Sequence, residues 1–532
     1  MKKLLSLVLL LSMVLGLFSG CGRGFDNSGY VPTGGQMLME GEEPTEDLSE
    51  EEDQQLYLAY YPDRSLNPIF GSDYTNRILM SLMYQPLFVV DNEKNVSPML
   101  AKSYQVSANS RNVTVWLEED ATFSDGSKLT AQDVVATYLQ AKENDYYANR
   151  FTHLINVEVT DDGGILFQMD TAYSNFMLLM DVPIIKASEV EAEIPLGTGP
   201  YVFVDSAGGA TLQRNPNWWC GNAKIPARDN VIDLVEVSSP SDVRDAFQFG
   251  GDQAVSVVCT NPMSGSFAEY RCDYELWEIE SGYFMYIVCN ILYSDHFEDG
   301  TLRTFLTYAI DRETLAEEAY NGLVTPVTLP CDPDESYYNK TLASKYGYDA
   351  LTFIEKLSRY SIPQEKKGGD KTLRLLVNSD DSARLTVARE IADHLTELGL
   401  PCSTLECSGS VYKDAVYVSN FDIYLGMTRL SPNMDLSEYF RPYGNMSRGG
   451  LQHESIYGLC LNALQDEGNY YNPYQKLCED GRLIPVMFGN YNVYAHRGLL
   501  PDLNPARDNV FYYTLEGKTM ESAKVDTVYT ED

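Results

Sequence analysis

Cys21 is the residue whose surroundings most plainly suggest chemistry, because it follows Ser19 and Gly20 and precedes Gly22. Small side chains admit a peptidase, and a thiol can carry a thioether-linked lipid. Other chemistry is sparsely provided for. There are five histidines, and no HExxH, GxSxG, GxxxxGKS/T or CxxC pattern occurs. His453-Glu454 lacks a second His, and Asp332-Pro333-Asp334 begins like a calcium loop without its Gly or closing Glu. Acids are so numerous that a glycosidase-like pair has no diagnostic weight. No catalytic residue, metal ligand or cofactor is assigned, and a non-enzymatic role is expected.

The element preceding Cys21 explains it. Lys2 and Lys3 head a nearly continuous apolar run from Leu4 to Phe18. Such a run is shorter than the about 20 residues a spanning helix needs, and it has the length of a signal-peptide core. The stretch resembles a bacterial lipoprotein signal over residues 1–21, with lipidation expected at Cys21 and Phe18 standing where Leu is more usual. Residues 22–53 follow as a tether. Nine acids and no base lie between Glu40 and Asp53, a composition that repels itself and buries nothing. A body anchored to the cell membrane on its extracytoplasmic face is expected.

The rest is long enough for two or three domains and holds no run of 18 apolar residues. A net charge of −38 excludes a nucleic-acid partner, since phosphate neutralisation needs clustered Lys and Arg. Nine cysteines after Cys21 have no framework spacing, so mostly free, buried thiols are expected. Tyr is abundant at 38, and a few Tyr in a cleft would suffice to bind a ligand.

Residues 55–61 read as the first strand, ended by Pro62. Ile78, Leu79, Leu82 and Met83 predict a helix over about 73–84. Residues 113–117 and 164–169 read as strands, and Thr130 with Asp133 as a helix start between them. Residues 301–311 and 312–322 predict two helices. Strands at 373–378, 401–407 and 421–427, with a helix opening at 379–384 and closed by Gly399, predict parallel pairing.

In order along the chain stand YQPLF (84–88), VSPMLAKSYQVS, VTVWLEEDATFSDGSKLTAQDVVATY, GTGPYVF (197–203), LQRNPNWW (212–219), RTFLTYAIDRETL (303–315), FDIYLGM and LIPVMF (483–488). This ordered set resembles the extracellular solute-binding proteins of family 5, the peptide/nickel type serving ATP-binding cassette importers. Asp125-Gly126 fits a tight turn, and Gly197-Thr198-Gly199-Pro200 a close backbone crossing between lobes.

The resemblance implies an α/β, two-lobed periplasmic-binding-protein-like fold of class II (cluster C type), with an extra α+β domain inserted in the first lobe. Lobe I is expected over 54–88, 192–288 and 489–532, the extra domain over 89–191, and lobe II over 289–488. It implies capture of an oligopeptide between lobes that close by a hinge, then delivery to importer permease subunits by a monomer. Alternatives are an oligosaccharide or metal–chelate ligand, or a surface sensor or interaction lipoprotein on the same fold.

Peptide-binding members pair the ligand's amino terminus with a second-lobe acid. Thr428-Arg429-Leu430-Ser431 stands where that acid belongs, leaving Asp435 as a substitute or Arg429 as a reader of anions. The expected ligand-binding residues are Tyr60, Asn67, Trp219, Tyr283, Tyr286, Asn290, Arg429 and Asp435.

Overall fold

Tyr57–Tyr60 opens the fold in the computed structural model, which describes residues 55–525 apart from 222, 265–269 and 362–370. The signal-like segment, Cys21 and the acidic tether lie outside the described residues. Asp73 caps the first helix, Tyr74–Met83, accepting from the backbone N–H groups of Thr75 at 2.9 Å and Asn76 at 3.2 Å. The first strand lies parallel to Val231–Glu236, and Gly209–Arg214 and Tyr201–Ser206 extend that sheet antiparallel.

A second four-stranded antiparallel sheet lies within the expected extra domain. Its order is Ala101–Val106, Asn112–Leu117, Ile165–Met169, Leu154–Val159. Helix Ala131–Glu143 packs on it. The Thr130 N–H reaches Asp133 Oδ2 at 2.9 Å, which completes the expected capping box. The buried side chains of this sheet and of the first sheet form one continuous core.

The third sheet is built on two long antiparallel strands, Tyr274–Cys289 and Leu483–His496. Val257–Thr260 pairs on one side. Ile423–Arg429, Leu373–Asn378 and Cys402–Cys407 continue the other side, the last three mutually parallel as expected from strand–helix–strand spacing. The register breaks between Glu280 and Phe284, where Gly282 takes φ +81°. Along these strands Ile279, Tyr491 and Val493 belong to the first core, whereas Phe284, Met285, Met487 and Phe488 belong to second-lobe cores. The two lobes therefore meet where both long strands cross.

Two expectations need correction. Residues 302–304 and 306–309 form 3₁₀ turns instead of a helix, and the α-helix begins only at Arg312, capped by Asp311. Thr304, Phe305, Thr307 and Tyr308 lower helix propensity there. The 197–200 glycines do make a close crossing, but inside the first lobe. A Cβ on Gly199 would lie 2.5 Å from the Leu82 carbonyl oxygen, at the end of helix Tyr74–Met83. Among the described residues no helix is long and apolar enough to cross a membrane, and no His/Cys/Asp/Glu group could hold a metal. The nine cysteines described are free thiols.

Candidate functional site

Arg429 ends the strand Ile423–Arg429 and points from the second lobe into the first. Its Nη2 donates to Asp508 Oδ1 at 2.7 Å, its Nε to the Ser281 carbonyl at 3.0 Å, and its guanidinium lies 4.2 Å from the Tyr146 ring centroid. Asp508 also accepts from the Tyr146 hydroxyl at 2.6 Å and from Arg150, which itself pairs with Asp181. Burial opposes ionisation of Asp508, but Arg429, Arg150, Arg507 and Arg77 outweigh it and hold the carboxyl well below the usual range.

Around this cluster the lobes enclose connected space. A chamber of about 810 Å³ is lined by Arg77, Lys94, Tyr147, Glu280, Arg507 and Asn509 among others, with Pro432 contributed from the second lobe. Apolar walls come from Met80, Tyr84, Pro86, Val89 and Pro183. Deeper, Tyr74, Tyr146 and Tyr491 border a smaller space of about 340 Å³ that shares Arg77, Arg507, Asp508 and Asn509 with the chamber. The Tyr74 hydroxyl links those of Tyr283 at 3.0 Å and Tyr491 at 3.1 Å.

Outward, a mouth of about 1,430 Å³ shares Asn92, Lys94 and Glu280 with the chamber. Glu93, Glu278, Glu280, Asp332, Asp334 and Glu335 surround it. Lys94 pairs with Glu335 and lies 3.9 Å from Glu280. Burial pushes the Asp332 carboxyl up to about 6, with neighbouring Glu280 adding to the shift. An acidic mouth above a chamber carrying both signs suits a solute with separated positive and negative ends.

Of the eight residues expected to bind ligand, the structure brings Tyr283, Arg429 and Asp435 to the region between the lobes. Asp435 borders a space of about 300 Å³ with Asn149, Arg429 and Ser431, and accepts from the Ser437 N–H at 2.8 Å. The other five are engaged within one lobe. Tyr60 packs on Phe203, with ring centroids 5.2 Å apart. Asn67 is fully buried and donates to the Val190 and Ala192 carbonyls at 2.8 and 2.9 Å. Trp219 donates to Gln85 at 2.8 Å. Tyr286 lies among Phe284, Tyr424 and Tyr439. Asn290 ties Ser419 to Phe421 with two 2.8 Å bonds.

Sequence reasoning passed over Arg77, Lys94, Tyr146, Glu280, Arg507 and Asp508. One signal was present: cations are few in a chain with 39 Lys and Arg against 77 acids, and Arg507-Asp508-Asn509 follows Pro505 in an otherwise uncharged stretch.

With this geometry in hand, similarity to known proteins becomes informative. The family described as bacterial extracellular solute-binding proteins, family 5 Middle, matches residues 95–450. The oligopeptide-binding protein AppA of Bacillus subtilis is 23% identical over 384 residues, 67% of this chain and 69% of AppA. The glutathione-binding protein GsiB of Escherichia coli K12 is 26% identical over 313 residues, 56% of this chain and 60% of GsiB. Thus the chain spans less than two thirds of GsiB.

Among solved structures, the ABC-transporter substrate-binding protein CtaP of Listeria monocytogenes aligns with a TM-score of 0.68 at 18% identity, covering 87% of this chain and 99% of that one. NikA of Brucella suis in complex with Fe(III)-EDTA aligns at 0.66 and 17% identity, covering 87% and 100%. AppA of Bacillus subtilis in complex with a nonapeptide aligns at 0.61 and 20% identity, covering 87% and 98%. At such identities the likeness establishes the two-lobed fold and leaves the ligand open.

Proposed function

Because the chain belongs to the bacterial extracellular solute-binding proteins of family 5, we propose that it captures an oligopeptide between its two lobes and delivers it unchanged to an ABC importer. It does so as a monomer held at the outer face of the cell membrane by lipid on Cys21. The observation that carries this reading is the chamber at the lobe junction, where Arg77, Lys94 and Arg507 stand beside Asp181, Glu280 and Asp508 between apolar walls. A peptide offers both charges and an amide backbone to such a lining. Oligopeptide recognition is also named for one relative, AppA.

The proposed division is lobe I over 54–88, 192–281 and 489–532, the extra domain over 89–191, and lobe II over 282–488, the boundary moving from the expected 288 because Phe284, Met285 and Tyr286 pack in second-lobe cores. The register break at Ser281–Gly282 and the crossing at Gly489 serve as hinges. Ligand contacts made by both lobes favour the closed form, which the permease reads. Of the ligand-binding residues expected, Tyr283, Arg429 and Asp435 are the ones this reading retains.

Native mass spectrometry of the protein purified from membranes, followed by calorimetry against a peptide library, tests the proposal. Co-purifying or heat-releasing peptides support it, and a library without any binding member rejects it. Replacement of Cys21 by Ala should release the protein from the membrane fraction; continued membrane retention would reject the anchor.

A second reading, a surface sensor on the same fold, is favoured by one observation. Arg429, in the stretch where the resemblance leads one to expect a ligand-binding acid, is instead tied to Asp508 across the lobes. Uptake of labelled peptide that depends on this protein decides for transport.

A further inference from the structure

We propose that His153 is a proton-linked latch, so that the lobes close most readily when its imidazole is charged and closure takes up one proton. This inference rests on the reading of two lobes that close, and adds the condition that biases them.

His153 belongs to the extra domain, between the 3₁₀ turn Ala148–Phe151 and the strand Leu154–Val159. Its ring is 2% exposed and stands where that domain meets the second lobe. Nδ1 lies 2.7 Å from Asp170 Oδ1 of its own domain, and Nε2 lies 2.8 Å from the Ser437 hydroxyl of the second lobe. Asp435 Oδ2 is 3.0 Å from that hydroxyl and 3.6 Å from Nε2. Two more bonds cross the same seam. The Asn149 amide donates to the Arg429 carbonyl at 2.9 Å, and the Ser174 N–H to the Leu464 carbonyl at 2.8 Å.

A neutral ring leaves this row one hydrogen short. With its hydrogen on Nδ1 it serves Asp170, and Nε2 must then accept the single hydroxyl hydrogen of Ser437. The buried Asp435 keeps only the Ser437 N–H on Oδ1 and loses the hydroxyl from Oδ2. With its hydrogen on Nε2, the bare Nδ1 and the Asp170 carboxylate are two acceptors 2.7 Å apart. A charged ring donates on both sides, to Asp170 and to the Ser437 hydroxyl, whose own hydrogen then reaches Asp435. Every group is satisfied, and the bonds at the two carboxylates are charge-assisted.

The surrounding charges agree. Asp170 flanks the ring from the extra domain and Asp435 from the second lobe. Glu438 and Arg441 of the second lobe pair with each other at 2.9 Å. Arg429 and Arg150 are matched by Asp508 and Asp181. Tyr173 packs on the ring from the extra domain, and Tyr457, Cys460 and Tyr470 of the second lobe neighbour Asp435. Burial raises all four of these groups, so they stay uncharged. Two carboxylates therefore face one imidazole. Burial pushes the Asp435 carboxyl up, and His153 draws it back down.

Opening would carry Ser437 and Asp435 away from the ring and return Asp435 to water. The second N–H would then have no buried acceptor to serve. The closed form thus binds the proton more tightly than the open form, and by reciprocity the proton favours closure. Closure is favoured as pH falls through the interval of about 5 to 8 in which imidazoles titrate.

Small-angle X-ray scattering of the full-length protein without added solute tests the latch. It reads closure apart from solute affinity, which the charge of the mouth also alters with pH. The radius of gyration should fall between pH 8 and pH 5.5. His153→Gln, which cannot titrate, should abolish that fall. Asp170→Asn keeps an acceptor at a side chain 42% exposed and removes one carboxylate, so the fall should persist but shift to lower pH. This second variant decides the matter if the first fails to fold. A constant or rising radius of gyration in the wild-type protein would overturn the proposal, as would a full response in His153→Gln or an unshifted one in Asp170→Asn. Calorimetry in which no peptide binds, with the scattering response intact, would reject the oligopeptide reading and leave the latch in place.

Discussion

Arg429 and Asp508 join the two lobes through a 2.7 Å hydrogen-bonded ion pair whose side chains are only 9% and 8% exposed. The partners are 79 residues apart in sequence. One ends an inner strand of the second lobe, and the other follows the last long strand back into the first. Asp508 is shared with Arg150 and the Tyr146 hydroxyl, so one carboxylate collects contacts from the extra domain and both lobes.

That convergence makes Asp508→Asn the most damaging conservative change expected at the site. The amide keeps the shape and removes the charge, leaving Arg429 and Arg150 buried with less compensation. Breaking such a pair costs about 3–5 kcal/mol, to be read from urea unfolding midpoints. The pH dependence follows from the depressed carboxyl. Its stabilisation is present above the ordinary carboxylate value of 3.8 and is lost as pH falls through the lower folded value. The wild-type protein should therefore keep this contribution at pH 5, and the variant should lack it throughout. A variant as stable as wild type at pH 7 would show that the cluster is not cohesive.

Asp332 should behave in the opposite sense. Burial pushes its carboxyl up to about 6, so its charge develops as pH rises through that value. Its favourable contribution to folding is complete below 3.8 and is lost as pH rises through about 6. An amine-bearing solute should gain affinity over the same interval, because the mouth becomes more negative. Calorimetry at pH 5 and pH 7.5 should show tighter binding at the higher pH, and Asp332→Asn should flatten the difference. An equal gain in the variant would assign the effect elsewhere.

The fold was more legible than the site, for a physical reason. Strand and helix periods are local, so 373–378, 402–407 and 423–429 announced their parallel arrangement, and Thr130 with Asp133 announced a helix start. The 302–311 segment misled because its apolar spacing fits a helix, while its β-branched and aromatic residues favour tighter turns. Site residues lack any local period. Arg77, Arg150, Arg429, Arg507 and Asp508 meet only after the long strands cross, and nothing in the spacing 77, 150, 429, 507 foretells it. Arg429 drew notice because Thr428-Arg429-Leu430-Ser431 stands where the family resemblance leads one to expect an acid. Tyr60 and Tyr286 show the converse limit, since an aromatic packed in a core and one facing a ligand look alike in a sequence.

Gly282→Ala should disturb the hinge more than an ordinary left-handed glycine would. Gly282 has φ +81°, and a Cβ there would meet the Arg507 guanidinium and lie 2.8 Å from the Leu430 carbonyl oxygen. Gly163 has φ +83°, and a Cβ there would meet nothing within 4 Å, so Gly163→Ala isolates the backbone term. That term costs about 1–3 kcal/mol. Thermal unfolding should place Gly282→Ala clearly below Gly163→Ala, with solute affinity lost only in the hinge variant. Equal losses would mean that Arg507 can move aside freely.

His153 supplies a separate hold on closure. Its Nδ1 lies 2.7 Å from Asp170 within the extra domain, and its Nε2 lies 2.8 Å from the Ser437 hydroxyl of the second lobe, with Asp435 at 3.6 Å. The ring is 2% exposed, so both nitrogens depend on these partners. His153→Phe keeps the ring's bulk and removes both bonds, while Ser437→Ala removes only the one between lobes. Each lost bond of this kind costs about 0.5–1.5 kcal/mol, plus the penalty of any buried partner left unpaired. If the Ser437 contact favours the closed form, both variants should raise the radius of gyration of the unliganded protein in X-ray scattering. Both should then weaken solute binding in proportion to the closed population lost. If the bond serves only local packing, Ser437→Ala should leave scattering and affinity unchanged, and His153→Phe should lower the melting temperature alone.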